Sequence, residues 1–507
     1  MKVALGLSLA LILAAQISNA GEFLVKYKNS SALNKMAAMQ TEAFGLEMKE
    51  LHRTGSYVRV NISKASEIRT LASLYADKNV DYVVPNFKIR AYANEVSLSA
   101  LKEQYSLAKV NAEQAWKRAG NKGNRSVILA VIDTGVDYTH PNLVPNMVAG
   151  FDFKDNDADP MDLTSASGNP GHGTHCAGII GATGVIDGGT SGLSPEVSIM
   201  PLRFLGADGS GDLNSAIKAI DYAIDHKVAV ISASWGATVP LSTAKPLVEA
   251  LERADKAGII FVTAAANDGK NNDTTDVYPA NAGTANMMVV AASNSTDAKP
   301  TWSNYGKAKV SLAAPGDAIM STLPGNKYAN LSGTSMATPL VAGLVAFLKA
   351  QDSTLTGAEV RSLMQTTGAK VQIETACNCR IDAFAAVDTL LAKKAWMVPA
   401  AATIAEQSTL QMAMKNASGA VKFESSNPAI ATIDASGLLK AIAKGTLTVK
   451  ATDAAGNAVQ SLDINVGAVA STPGPGPGPG TPGDCPLGDA ATCQAICAIF
   501  PQAPWCQ

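Results

Sequence analysis

The apolar residues in the middle of the chain form short, continuous runs that alternate with segments of helical spacing. Such runs, rich in β-branched residues, are typical of strands whose two faces are both buried. Helices between them predict an α/β fold for residues 94–395, with a mostly parallel sheet between two helical layers. The predicted strands are 127–132, 197–202, 228–232 and 259–264, and the predicted helices include 213–226 and 246–256.

The segments on either side follow different patterns. Residues 21–93 show the order β-α-β-β-α-β, which predicts a small α+β, ferredoxin-like domain. Residues 396–467 show short strand-like runs separated by glycine turns, which predicts a β-sandwich. The first segment has predicted strands at 22–28, 46–51, 57–61 and 80–84 and helices at 31–44 and 64–76, and the turn glycines of the second are Gly437, Gly445 and Gly456.

Both ends of the chain carry recognisable patterns. A positive start, an apolar run at 3–15 and small residues at 18–20 predict a secretory signal peptide over residues 1–20. The apolar run is shorter than the roughly 20 residues that span a bilayer, so a membrane anchor is the weaker alternative. Proline and glycine alternate at 473–480, which predicts an extended linker over 468–483. We therefore expect an exported protein without a membrane span and with a separate tail at 484–507.

Composition narrows the possible partners. The chain has 507 residues, 47% of them hydrophobic, and a net charge of −2, so it lacks the basic surplus that attracts nucleic acid. Seven cysteines in an exported chain predict disulfides and at least one free thiol. Four of the cysteines crowd into the tail, where the pairing stays open. The other three are Cys377 and Cys379, separated by one residue, and Cys176, which stands alone.

An acidic residue ends the first buried run. Asp133 is followed by Thr134 and Gly135 and stands at the carboxyl end of a predicted strand, where open parallel sheets carry functional groups. The same triplet occurs in aspartic proteases, but these need two carboxylates that share a proton. The chain has no second Asp-Thr-Gly or Asp-Ser-Gly. Taken alone, the motif indicates either a catalytic carboxylate or a structural turn.

A histidine motif follows at 171–178, where glycines flank His172 and leave its ring accessible at a predicted helix start. His175 lies three residues later, and such a pair also occurs in zinc sites, but no third ligand is evident. We interpret His172 as a general base and His175 as a structural neighbour.

The third motif, at 331–339, places Ser335 just before an apolar helix at 340–350. Pro339 is expected in the first turn of that helix, because proline has no N–H to donate. Ser335 would then lie at a helix N-terminus, where free N–H groups stabilise developing negative charge. Ala337 excludes the Gly-x-Ser-x-Gly elbow of α/β-hydrolases, which also have a different order of catalytic residues.

Together these three segments, in the order Asp, His, Ser, resemble the signatures of the subtilisin-like serine proteases over residues 21–391. The resemblance implies a catalytic triad in which Ser335 is the nucleophile, His172 the base and Asp133 the group that orients the base. Residues 21–93 resemble the inhibitory propeptide of this family. The resemblance therefore implies that the protein's own propeptide is its inhibitor and is removed by self-cleavage, expected within 92–94.

The resemblance also assigns the residues that contact substrate. Asn267 is the expected side-chain donor of the oxyanion hole, although Ala266 stands where the family usually has glycine. Val277 stands at another usual glycine, so we expect a shallow primary pocket that prefers small or medium apolar residues. The remaining substrate-binding residues are Ser234, Trp235 and Gly236 on one pocket wall, Ala265 on the other, Gly209 and Gly211 on a strand edge that pairs with substrate, and Leu205 and Leu213 in a further apolar pocket.

Family resemblance further implies a structural calcium ion, with Asn142 and Asp187 as the candidate ligands. Asn142 stands where many members have aspartate, which weakens that site. Cys176 occupies the position of a cysteine in the proteinase K-like branch, and is either a small buried apolar residue or a thiol close enough to His172 for mercurials to inhibit. Residues 425–445 resemble the bacterial Ig-like domains of surface and secreted proteins.

These observations predict a secreted, monomeric serine endopeptidase, extracellular or periplasmic, that hydrolyses proteins and peptides without a catalytic cofactor. One alternative is an adhesion or binding protein that uses the triad only for its own maturation. Another keeps the enzyme but treats the region after about residue 397 as a removable extension.

Overall fold

The computed structural model describes residues 21–31, 33, 46–52, 54–63, 67–92, 94–97, 104–165, 168–184 and 189–467. The predicted signal peptide, most of the predicted helix 31–44, the linker and the cysteine-rich tail lie outside these ranges.

The first domain is an antiparallel sheet with the strand order β2-β3-β1-β4. Alternating burial along the sheet forms a separate small core with the helix, as the predicted α+β pattern requires. The elements are β1 (Glu22–Tyr27), β2 (Leu46–His52), β3 (Tyr57–Ile62), α1 (Glu67–Ala76) and β4 (Val80–Pro85).

Two short strands connect this domain to the next. β5 (Lys88–Ala91) lies between β10 (Ser210–Asp212) and β12 (Trp235–Gly236) and is antiparallel to both. β6 (Asn94–Ser97) pairs with β17 (Lys327–Ser332), which also pairs with β16 (Ile319–Leu323). The two strands that follow the first domain in the chain therefore both pair with strands of the second domain.

The second domain is built on a nine-stranded sheet with the order β18-β19-β15-β14-β13-β11-β7-β9-β8. Its pairs are parallel except at β18, and its central strands β7 and β13 are buried except for Ile128 at the start of β7, so the predicted α/β fold is confirmed. The strands are β7 (Ile128–Asp133), β8 (Phe151–Asp152), β9 (Ser198–Arg203), β11 (Val230–Ala233), β13 (Ile260–Ala264), β14 (Met287–Ser293), β15 (Leu312–Pro315), β18 (Ala369–Lys370) and β19 (Cys379–Arg380).

Helices cover the sheet on both faces, since the domain has two large cores. They are α2 (Tyr105–Lys109), α3 (Ala112–Ala119), α4 (His172–Gly181), α5 (Leu213–Asp225), α6 (Leu241–Lys256), α7 (Thr334–Gln351), α8 (Gly357–Thr367) and α9 (Ala383–Leu391).

Two helices contain a proline in their interior, which the sequence interpretation did not expect. Pro246 is the sixth residue of α6, so this helix begins before the predicted residue 246. Pro339 is likewise the sixth residue of α7, so its predicted place in the first turn was wrong. Because proline donates no hydrogen bond, the carbonyl of Ser335 has no partner within α7. Ser234 Oγ donates to that carbonyl instead, at 2.9 Å.

The third domain is a small sandwich with its own apolar core, as predicted. It is joined to the second domain through Trp396, which is fully buried in the core of that domain. Lys415 also bonds Glu359 of α8, at 2.6 Å. The strands are β20 (Trp396–Val398), β21 (Ala402–Ala405), β22 (Thr409–Gln411), β23 (Ala413–Lys415), β24 (Val421–Ser425), β25 (Ala431–Ile433), β26 (Leu438–Ala441), β27 (Gly445–Leu447), β28 (Val449–Asp453), β29 (Ala458–Gln460) and β30 (Ile464–Gly467).

Three cysteines lie in the described residues. Cys377 and Cys379 form a disulfide, and Cys176 is a buried free thiol. A search of the described part of the chain for a helix long and apolar enough to cross a membrane found none.

Candidate active site

The three motif residues lie at the carboxyl end of one strand and at the amino ends of two helices of the second domain. Asp133 is the last residue of β7, and His172 is the first residue of α4. Asp133 Oδ1 lies 2.7 Å from His172 Nδ1, and both side chains are 1% exposed. Burial alone would lower the pKa of His172, but the charge of Asp133 and the hydrogen bond to it raise that pKa well above its ordinary value. The imidazole is therefore oriented and made more basic by the carboxylate.

Ser335 is the second residue of α7, so its N–H belongs to the first turn, where helical N–H groups have no partner within the helix. Its hydroxyl donates to the carbonyl of Ser234 at 2.9 Å. His172 Nε2 has no hydrogen-bond partner among the residues that the structure describes. A hydroxyl that points to a carbonyl can turn to an imidazole by rotation about one bond, and such contacts often tighten only with substrate bound.

The contacts of Cys176 show that the histidine motif and the serine motif lie close together. Its sulfur is 4.0 Å from His172 Nδ1 and donates to the carbonyl of Ser335 at 3.5 Å. Burial raises the pKa of this thiol, so it is a neutral thiol rather than a second nucleophile. His175 is different: its Nε2 bonds the carbonyl of Ala329 at 3.0 Å, and burial lowers its pKa to about 3, which keeps it neutral.

Asn267 follows β13 and points its amide at a carbonyl of the chain itself. Its Nδ2 donates to the carbonyl of Tyr92 at 3.0 Å. Its Oδ1 accepts from the N–H and the hydroxyl of Thr334, both at 2.9 Å, which fixes the orientation of the amide. Ala266 just before it has φ 90, a left-handed conformation that favours the glycine usual at this position. Sequence reasoning missed Thr334, although it lies within the serine motif.

The backbone of residues 88–92 lies in the site as an added strand. Arg90 is paired with Ser210 on one side and with Gly236 on the other. Beyond the strand, the N–H of Tyr92 donates to the carbonyl of Ser234, at 3.1 Å. The other predicted edge residues also contact this segment: Gly209 accepts from the N–H of Ala91, Gly211 pairs with Ile89, and Trp235 pairs with Ala91.

The side chain of Tyr92 enters the pocket whose wall includes Gly236. A Cβ atom at Gly236 would lie 2.6 Å from the Tyr92 hydroxyl oxygen, so the ring packs directly against the glycine. Burial raises the pKa of Tyr92, as expected for a phenol removed from water. Val277 is buried, and the expected preference for small or medium apolar residues stays a prediction beside this close contact of the Tyr92 ring with Gly236.

The remaining predicted pocket residues are all fully buried. Leu205 and Leu213 belong to the same apolar cluster as Ile89, and Tyr92 packs against this cluster, which also contains Ala265. An apolar residue three positions before Tyr92 thus lies in apolar surroundings.

Asn142, one of the two candidate calcium ligands, fits poorly. Asn142 Nδ2 donates to the carbonyl of Thr190 and to the Tyr328 hydroxyl, and its Oδ1 accepts from Thr183 at 3.4 Å. A neutral amide engaged in this way offers little to a hard cation that prefers carboxylates. Asp187 lies outside the described residues.

Comparison with known proteins gives two family matches. The model described as "Subtilase family" matches residues 124–387, and "Bacterial Ig-like domain (group 2)" matches residues 393–463. A thermophilic serine proteinase of Bacillus sp. (strain AK1) is 35% identical over 69% of this chain and 82% of its own length. Thermitase of Thermoactinomyces vulgaris is 40% identical over 53% of this chain and 89% of its own length. Subtilisin E of Bacillus subtilis is 31% identical over 70% of this chain and 87% of its own length.

Proposed function

Because the chain belongs to the subtilase family of serine endopeptidases, we propose that it hydrolyses proteins through an acyl-enzyme on Ser335. His172 takes the hydroxyl proton of Ser335 as the oxygen attacks the peptide carbonyl, and later returns that proton to the leaving amine. Asp133 fixes the tautomer of His172 and stabilises its cation. Water then hydrolyses the ester by the same steps in reverse.

The observation that carries this proposal is the contact between Asn267 and the carbonyl of Tyr92, at 3.0 Å. An oxyanion hole must place donors where the carbonyl oxygen becomes negative, and the N–H of Ser335 is the second donor that we assign. Donation from Asn267 requires its Oδ1 to face away from the substrate, and the two bonds from Thr334 support that orientation.

The same contact supports self-processing between Tyr92 and Ala93. In this proposal Tyr92 occupies the primary pocket, Ile89 the apolar pocket of Leu205 and Leu213, and the segment 88–92 pairs as a substrate strand. The first domain, predicted over residues 21–93, would then act as the propeptide, and its part up to Tyr92 would remain in the cleft as an inhibitor after the bond is cut. Ala93 itself lies outside the described residues.

Ser335→Ala tests both parts. The variant should secrete as the full precursor without hydrolysing casein, whereas wild type should begin at Ala93. Phenylmethylsulfonyl fluoride should abolish the casein hydrolysis of wild type. A variant trimmed at the same bond would assign maturation to another protease, and a variant that still hydrolyses casein would refute the triad.

We further propose that the enzyme is exported by a signal peptide at 1–20 and acts as a monomer, either outside the cell or in a periplasm. The catalytic domain spans 94–395, the Ig-like domain 396–467, the linker 468–483 and the tail 484–507. A structural calcium ion stays in the proposal on the loop that carries Asp187, since Asn142 does not fit as a ligand.

A further inference from the structure

Asp162 is a carboxylate buried next to the candidate active site that the proposed mechanism does not use. It lies between β8 and α4 and is only 4% exposed. Its Oδ1 accepts from the Thr134 hydroxyl at 2.8 Å and from Asn169 Nδ2 at 2.6 Å. Its Oδ2 accepts from the N–H and the hydroxyl of Thr174, at 2.9 and 2.6 Å. Four donors thus converge on one buried side chain.

These donors belong to the two segments that carry Asp133 and His172. Thr134 directly follows Asp133, and Thr174 lies in the first turn of the helix that His172 begins. Asn169 precedes that helix, and its Oδ1 accepts from the N–H of His172 at 2.8 Å. Asp162 therefore bonds both the segment that carries Asp133 and the segment that carries His172.

The direction of the hydroxyl protons follows from the surrounding bonds. The Thr134 hydroxyl accepts from the N–H of Gly173, and the Thr174 hydroxyl accepts from the N–H of Asp137, both at 2.9 Å. Each hydroxyl therefore has its own proton free to donate, and both protons go to Asp162. Burial raises the pKa of Asp162 to about 6, while the hydrogen bonds from Thr174, Asn169 and Thr134 oppose that rise. At neutral pH the group is an acceptor of four bonds, a role that an amide cannot fill.

We propose that Asp162 is a positioning residue, which holds the loop of Asp133 and the helix of His172 at the separation that their 2.7 Å contact requires. Asp133 and His172 are 39 residues apart in the chain, so their contact depends on such ties between segments. An error of about 1 Å between catalytic groups can lower turnover by about 100-fold. The inference rests on the proposed roles of Asp133 and His172.

The test compares Asp162→Asn with Asp137→Asn. Asp137 is a matched control, because it is 5% exposed and follows Asp133 in the same loop. Its carboxylate accepts from Thr139 and Gly325 and not from the segment of His172, which it contacts only through its backbone N–H. With active sites counted by an acylating reagent, Asp162→Asn should lower kcat for a peptide anilide by about 10- to 100-fold. Its KM should stay within about twofold, because Asp162 touches none of the pocket residues. The control should keep both values within about threefold.

A second measurement monitors the hydrogen bond between His172 and Asp133 directly. In the Ser335→Ala precursor, which should not be processed, the far-downfield proton signal of His172 Nδ1–H reports its hydrogen bond to Asp133. Adding Asp162→Asn should shift or broaden this signal, and adding Asp137→Asn should leave it in place. A merely structural role would lower the melting temperature and leave both kcat and the signal unchanged, which would overturn the proposal.

Should Asp162→Asn fail to fold, Thr174→Val and Thr174→Ser provide the same comparison. Valine removes one of the four donors at nearly constant volume, whereas serine keeps the hydroxyl. We expect kcat to fall about tenfold for valine and much less for serine. Equal kcat in the two variants would refute the positioning role. If Ser335→Ala is inactive while Asp162→Asn is fully active, the proposed function stands and this inference fails.

Discussion

The contact between Tyr92 and Gly236 predicts that a single methyl group changes the residue preference of the enzyme. In Gly236→Ala the new Cβ would lie 2.6 Å from the Tyr92 hydroxyl oxygen and 2.9 Å from Cε2 of its ring. Ordinary contacts of this kind are about 3.5–4.0 Å, so the ring must retreat by roughly 1 Å. A displacement of that size also moves the scissile carbonyl away from Asn267, and can lower turnover by about 100-fold.

The same methyl group would lie 2.7 Å from the carbonyl oxygen of Tyr278, a strain that every substrate meets equally. The informative quantity is therefore a ratio of kcat/KM between two substrates. Anilides of Ile-Arg-Ala-Tyr, the sequence of residues 89–92, and of Ile-Arg-Ala-Ala differ only in the residue that fills the pocket. In Gly236→Ala, kcat/KM for the tyrosine anilide divided by kcat/KM for the alanine anilide should be about 100-fold lower than in wild type. This change corresponds to about 2.7 kcal/mol.

The variant needs a precursor that can mature. Gly236→Ala alone should accumulate uncut, because its own Tyr92 no longer fits, and Tyr92→Ala in the same chain should restore processing. If the double variant matures and still hydrolyses both anilides in the wild-type ratio, the Tyr92 ring does not occupy this pocket during catalysis. If Gly236→Ala processes itself at the normal rate, the bond after Tyr92 is not the one that is cut.

Three further predictions follow from the structure. Asn267→Ala should lower kcat by about 10²–10³ with little change in KM, the range found for the equivalent donor in subtilisin itself, and a change confined to KM would remove Asn267 from the oxyanion hole. His52 of the first domain lies near Glu50, and its ring stacks on that of Tyr57. Glu50 bonds Lys218 and Asn214 of the second domain and also lies near Arg59. Burial lowers the pKa of His52 despite the opposing charge of Glu50, so the bound state favours the neutral ring. Association of the cleaved propeptide should then be strongest above about pH 6.5 and weaken as the pH falls below it, because protonation of His52 is easier in the free state. Gel filtration of the cleaved complex at pH 7.5 and 5.5 measures the bound fraction; His52→Gln should abolish the difference, and an equal loss in that variant would assign the pH effect to another group. Finally, chelation of calcium should lower the melting temperature of wild type, and Asp187→Asn should remove this sensitivity whereas Asn142→Ala should keep it; a wild type insensitive to chelation would contradict a bound calcium ion.

The fold class could be predicted from local sequence patterns alone. Continuous apolar runs such as 259–264 can be stable only where both faces of a strand are covered, and alternation in 57–61 requires one covered face. The three catalytic motifs could also be recognised in the sequence, since acyl transfer requires particular residue types close to strand ends and helix starts. The family match confirmed that interpretation of the chain as a subtilisin-like serine endopeptidase followed by an Ig-like domain.

Features that depend on contacts between distant residues became visible in the folded chain. An internal proline at 339 looked like a helix start, and is tolerated because Ser234, which lies between β11 and β12, donates to the carbonyl of Ser335 that the helix leaves free. The close approach of Tyr92 to Gly236 could not be predicted from either residue's neighbours, because it joins two distant segments of the chain. The sequence around Asp162 contains no motif that predicts its role, because that role arises only when two other segments fold against it. Local patterns record which surfaces a residue must bury, whereas the distances between catalytic groups are set by packing between segments that the sequence keeps far apart.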